Sequence, residues 1–170
     1  MPDWKDIPQF PRACYEIHVN WKSLEFQLES EIANGLQIDP EFQRCHVWTE
    51  AQRIAYLEYC LMGGEVGRNI TIACTNWSQI PTPSYVLVDG KQRIETVRRF
   101  LRGEIPVFGH RLDEYTGELR IVQSRFVWRV VECKTPEDIL RLYLNINGGG
   151  TPHTQDELDR VRVMLKTGLS

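Results

Sequence analysis

Asp89, Gly90, Lys91, Gln92 and Arg93 are consecutive, and they stand where an apolar run, "YVLV", gives way to a helical pattern, "KQRIETVRRFLRG". The first N–H groups of a helix have no intrahelical acceptor, and the dipole there favours anions. Gly90 would let a ligand approach the backbone closely. Arg93 falls in the first turn, where a forked guanidinium grips phosphate well. Asp89 is unfavourable beside a bare phosphate but reasonable beside a metal-bound one, because a hard carboxylate suits magnesium. The same residues also fit a plain turn, since Asp-Gly is a common turn dipeptide and arginine occurs throughout helices.

Two further stretches have the residue types for the same chemistry. "PEFQRCHVW" places Gln43 and Arg44 in an irregular loop before a helix, another position that can face an anion. His46 follows in that loop and could serve as base for an attacking water. The plainer account makes Phe42, Val47 and Trp48 core anchors, Arg44 a surface charge and His46 a packing residue. "YLNINGGGTP" sets Asn145 and Asn147 at a helix end beside three glycines, which is also ordinary capping chemistry. Arg98, Arg99 and Arg102 form a small basic face, read as a solvated helix surface.

The elements that must position these residues are short. "YEIHVNW" reads as a first strand. "SLEFQLESEIANG" reads as a helix capped by Ser23, with Leu24, Leu28 and Ile32 on one face and Gly35 as its stop. "LQIDPEFQRCHVW" reads as irregular around Pro40. Thr49 and Gln52 make a capping box for "TEAQRIAYLEYCLMGG", whose inner side carries Ile54, Leu57 and Leu61. "NITIA" and "YVLV" suit buried strands. Ile94, Val97 and Leu101 are the buried stripe of the helix after Gly90. "FGHRLDEYTGELRI" is an excursion turning at Thr116-Gly117. "RFVWRVVEC" is the longest strand, and a helix from Thr135 with Pro136 in its first position runs through "EDILRLYLNIN". Thr154 and Glu157 cap a last helix, "QDELDRVRVMLKT". The expected class is α+β: a small mixed sheet of short strands packed with about five helices.

Bulk properties exclude several functions. With 170 residues, 42% hydrophobic and 25% charged, the chain can bury one real core. A net charge of −3 argues against sequence-independent binding to a nucleic-acid backbone, although a local basic patch remains compatible. Five cysteines (Cys14, Cys45, Cys60, Cys74, Cys133) include no C-x-x-C pair, which points to free thiols in a reducing, cytoplasmic setting. No apolar run approaches the ~20 residues that cross a bilayer. The four histidines show no metal-ligand spacing. No catalytic Ser-His-Asp set, Walker-type loop or dinucleotide glycine fingerprint is present.

"FQRCHVW", "VLVDGKQRIETVRRFLRG" and "LYLNINGGGTPHTQDEL" occur in that order. Their order and spacing resemble the N-terminal domain of GmrSD-type, modification-dependent restriction systems, part of the ParB/sulfiredoxin-like superfamily. The matching segments are Phe42-Gln43-Arg44 with Val47-Trp48, Asp89 through Arg93, and Tyr143 with Asn147, and the resemblance spans about residues 36–165. It departs from the family at Lys91, where glutamine is usual, at Tyr143, where phenylalanine is usual, and at His153, where many relatives have an apolar residue. Restriction-type relatives continue into an H-N-H-type nuclease domain, whereas this chain ends at Ser170.

The resemblance implies a ParB/sulfiredoxin-like fold over residues 36–170, with residues 1–35 supplying an arm, first strand and helix to one compact domain. It implies binding of a nucleoside triphosphate and magnesium-dependent hydrolysis, in a phage or bacterial protein. Arg44, Arg93, the Gly90 backbone and Lys91 would then meet phosphate. Asp89 would hold magnesium or orient water with Gln92, and Gln43 and Asn147 would fix orientation. The sulfiredoxin reaction is not expected, because its cysteine lies inside the phosphate motif and none is found here. One alternative is a non-enzymatic, nucleotide-switched module that partners with or inhibits a complex carrying a nuclease or other effector. Another is a DNA-binding or nicking protein.

Overall fold

The computed structural model describes residues 13–43, 48–75, 84–120, 124–147, 159–161 and 163–164. Its organising element is a five-stranded mixed sheet, in the order β1-β5-β3-β4-β2. The strands are β1 (Ala13–Asn20), β2 (Leu36–Gln37), β3 (Asn69–Thr75), β4 (Ser84–Asp89) and β5 (Arg125–Cys133). β5 runs antiparallel to β1 and parallel to β3; β4 runs antiparallel to β3 and parallel to β2. The helices are α1 (Leu24–Ala33), α2 (Glu50–Leu61), α3 (Lys91–Leu101) and α4 (Pro136–Asn147). Residues 159–161 and 163–164 are also helical. The architecture is therefore α+β. No helix among the described residues is long and apolar enough to cross a membrane.

Both faces of the sheet are covered, which is why β3 and β4 read as continuous apolar runs rather than alternating ones. On one face Leu24, Leu28, Leu57, Cys60, Ile94, Val97 and Phe100 from α1, α2 and α3 pack on Ile70, Ile72, Leu87, Phe126, Trp128 and Val130. On the other, Ile139, Leu140, Leu142 and Tyr143 of α4 pack on Ala73, Val86, Val88, Val131 and Cys133. Cys60, Cys74 and Cys133 are buried and form no disulfide.

Local signals place most of these elements. The Thr49–Gln52 capping box forms as expected. Thr135 accepts from the Asp138 N–H and donates its own N–H to the Asp138 carboxylate, starting α4 at Pro136. Gly35, at φ 98°, ends α1.

Three details differ from the sequence reading. The Ser23 side chain does not cap α1; its hydroxyl donates to the Asn20 carbonyl, and Asn20 caps the single 3-10 turn that precedes the helix. Ile32 is 45% exposed, because α1 ends against the sheet edge and only Leu24 and Leu28 reach the core. Within "LQIDPEFQRCHVW", Leu36 and Gln37 form β2, a two-residue strand recruited by the open edge of β4. The Thr154–Glu157 cap lies outside the described residues.

Candidate functional site

α3 begins directly where β4 ends, and Gly90 makes the junction possible. Its φ of 110° belongs to the left-handed region, and a Cβ built there would lie 2.4 Å from Ile70 Cδ1 and 3.3 Å from Ile70 Cα. Only glycine combines that conformation with that approach. The room a side chain would occupy is filled by Ile70, so packing against β3 already accounts for the residue. No side chain caps the helix start at Gly90.

Around this seam the three motif segments converge. The Gln43 side-chain amide donates to the Leu87 carbonyl. Because β2 stops at Gln37, opposite Val86, Gln43 serves the next stretch of β4 that no strand covers. On the second segment, Gln92 Oε1 accepts from the Trp48 N–H at 2.8 Å, tying the first turn of α3 to the start of α2. The third segment reaches the first through an edge-on contact between the Phe42 and Tyr143 rings, whose centroids are 5.1 Å apart. Asn147 lies one turn beyond Tyr143, and its amide donates back to the Tyr143 carbonyl at 2.8 Å. Among the described residues no hydrogen bond joins Asn147 to the seam. Arg44 and His46 lie outside the described residues.

The charges at the seam are paired. Arg93 Nη2 meets Asp89 Oδ2 one turn away, with the two side chains 18% and 27% exposed. Lys91 turns toward Asp39 and pairs with its carboxylate. These pairs do not satisfy everything. Five buried side-chain atoms among the described residues lack a hydrogen bond, and two of them, Arg93 Nε and Gln43 Oε1, belong to this site. Each such atom costs about 1–3 kcal/mol of desolvation unless something else meets it.

Two residues near Arg93 were not singled out in the sequence. The Tyr56 hydroxyl donates to the Gly67 carbonyl at 3.0 Å, and its ring stands edge-on to Trp48 at 5.3 Å. Burial pushes the Tyr56 phenol well above its ordinary value; neighbouring Cys60 adds to the shift and the Arg93 charge opposes it. The phenol is thus a neutral donor. A Cβ at Gly67 would lie 3.4 Å from the Tyr56 ring and 4.0 Å from Arg93 Nη1, so the guanidinium rests over this loop. The available signal was a tyrosine on the inner side of an amphipathic helix, whose hydroxyl must find an acceptor.

The basic face of α3 is neutralised. Arg98 makes a two-pronged pair with Glu25, at 2.6 and 3.1 Å, and also reaches Glu95. Arg99 and Arg102 both bind Glu104, and Arg102 also reaches Glu95. No cluster of three His, Cys, Asp or Glu side chains that could hold a metal by itself occurs among the described residues.

The arrangement can therefore hold an anion through Arg93 and one oxygen-bound cation through Asp89. Compared with family models, curated proteins and solved structures, the chain matches none.

Proposed function

We propose that this protein binds a nucleoside triphosphate at the seam between β4 and α3 and hydrolyses it with magnesium, on a fold of the ParB/sulfiredoxin-like kind. The observation that carries the reading is the Asp89–Arg93 pair at an uncapped helix start, beside a buried Arg93 Nε that lacks an acceptor. The first motif segment meets the same seam, through Gln43 on the Leu87 carbonyl and the Trp48 N–H on Gln92, and supports it independently.

In this reading Arg93 and Arg44 hold phosphate oxygens, with the Gly90 backbone and Lys91 completing the cradle. Gln92, positioned by the Trp48 N–H, orients the reacting groups; Gln43 and Asn147 fix the walls; His46 takes a proton from the attacking water. Magnesium is usually held by one or two carboxylates together with substrate phosphates, so a site offering the single carboxylate of Asp89 fits that ion. When bound, the ion neutralises charge on the phosphate oxygens. Holding the triphosphate in line is most of what such a reaction asks of the protein.

The test is phosphate release from ATP, GTP, CTP and UTP with magnesium, on wild type, Arg93→Ala and Asp89→Asn together. Turnover with at least one nucleotide, lost in both variants, is the expected result. Full turnover in Asp89→Asn would reduce that carboxylate to a turn residue.

The pairing of Asp89 with Arg93 also favours a second reading, in which nucleotide binding rearranges the pair and signals to a partner protein without hydrolysis. Binding by thermal shift with no phosphate release would select it. DNA as a ligand has less support, because Arg98, Arg99 and Arg102 are all engaged by carboxylates.

A further inference from the structure

Asp89 and Arg93 sit at i and i+4 across the start of α3 and meet through one oxygen and one nitrogen. A guanidinium carries five N–H donors in a rigid fork. One carboxylate oxygen takes a single arm of that fork here, while Nε is buried without an acceptor and Nη1 rests over Gly67. Arg68 shows the contrasting case: buried more deeply than Arg93, it donates from Nε to the Gly64 carbonyl at 2.6 Å and from Nη2 to the Cys60 carbonyl at 3.0 Å. Arg68 is fastened to backbone at the end of α2, whereas Arg93 is held by a side chain that can let go.

The carboxylate that holds Arg93 also guards it. An anion that takes the remaining arms of the fork must come to rest beside the full negative charge of Asp89. Lys91 does not offset that charge, because Asp39 already neutralises it. A ligand with its own cation meets different terms, since its phosphate can take the guanidinium while its cation takes the carboxylate. Both halves of the pair then exchange one opposite charge for another.

We propose that the Asp89–Arg93 pair is a charge filter that admits a magnesium-complexed triphosphate to the seam and rejects the uncomplexed anion. This rests on the nucleotide reading above and adds to it the ionic form of the ligand that the site selects.

The experiment is calorimetric titration of wild type, Asp89→Asn and Glu104→Gln with ATP, GTP, CTP and UTP, each in excess magnesium and in EDTA. The wild type is expected to bind the magnesium complex of its preferred nucleotide at least about tenfold more tightly than the free form, the usual scale of coupling between two bound species. Asp89→Asn, with an unchanged melting midpoint, should bind the metal-free nucleotide about tenfold more tightly than wild type does and lose most of the magnesium preference. Glu104→Gln removes a charge at the far end of α3 without touching Arg93 or Lys91, and should change metal-free affinity much less.

Three results would overturn the filter while leaving nucleotide binding intact. These are equal wild-type affinity with and without magnesium, no gain in Asp89→Asn, or the same gain in Glu104→Gln. The first needs only unmodified protein, so it holds even if a variant misfolds. Wild type that binds none of the four nucleotides in either condition overturns the filter together with the reading beneath it.

Discussion

At its C-terminal end α3 carries Arg98, Arg99 and Arg102, and carboxylates of Glu25, Glu95 and Glu104 hold all three. At its N-terminal end a single carboxylate holds Arg93, whose Nε has nothing to bond. Glycines mark the two ends as well. Gly103, at φ 72°, would have nothing within 4 Å of an added Cβ, whereas one at Gly90 would run into Ile70. The C-terminal end is a solvated surface with charges balanced by many partners. The N-terminal end is packed tightly from behind and left under-bonded in front. One helix thus uses arginine for two purposes, and the neighbours decide which.

Paired glycine substitutions should separate the two ends most strongly. Gly90→Ala combines a left-handed residue with a collision against the fully buried Ile70, so it should cost about 3 kcal/mol or more of unfolding free energy. Gly103→Ala incurs only the conformational cost, about 1–2 kcal/mol. Urea denaturation of both proteins measures the difference, and equal losses would remove the claim that Ile70 closes the space behind the seam.

The arginines should divide next. Arg93→Ala should lower nucleotide affinity by at least about 1.5 kcal/mol, the usual cost of a lost charge-assisted hydrogen bond. Because it also removes a buried orphan donor, its own stability should change little. Arg102→Ala should leave affinity untouched. Calorimetry on both, with melting curves as the control for folding, tests the division; unchanged binding in Arg93→Ala would remove the pocket assignment.

The smallest effect concerns acid and salt. Arg102 first, and then Arg99, hold the Glu104 carboxyl below its ordinary range through hydrogen bonds. A carboxyl depressed in the folded state contributes stability above its unfolded pKa of 4.5 and loses it as pH falls through the lower folded value. Glu104→Gln should therefore lose this small contribution at neutrality, flatten the stability curve below that pH, and change nothing in strong acid. The same substitution should weaken the dependence of the melting midpoint on salt. Asp39→Asn, whose partner Lys91 is at the other end of the helix, should leave the Glu104 titration unaffected.

Much of the fold was written locally. β3, β4, β5, α2, α3 and α4 all fall where β-branched runs, a capping box and a proline in the first helical turn placed them. These signals act within a few residues, so they survive any tertiary arrangement. β2 was not legible, because a two-residue strand has no periodicity and exists only where β4 offers an edge. The Ser23 cap failed for a related reason, since Asn20, three residues earlier, had already turned the chain into a 3-10 start.

The candidate site divides the same way. Asp89, Gly90, Gln92 and Arg93 were visible because they are adjacent at a strand-to-helix junction, and α3 starts there. The approach of Ile70 behind Gly90 was not visible, nor were the Trp48 N–H on Gln92 or Gly67 and Tyr56 beneath Arg93. Those contacts join residues 11 to 44 positions apart. The charges of Lys91 and Arg98 were likewise plain in the sequence, while their partners, Asp39 and Glu25, are 52 and 73 residues away. Sequence alone determined the elements and the reactive residue types, because propensity, capping and turn chemistry are short-range. Only tertiary structure decided which carboxylate each arginine meets, because that depends on how the sheet orders its strands and where it sets α3.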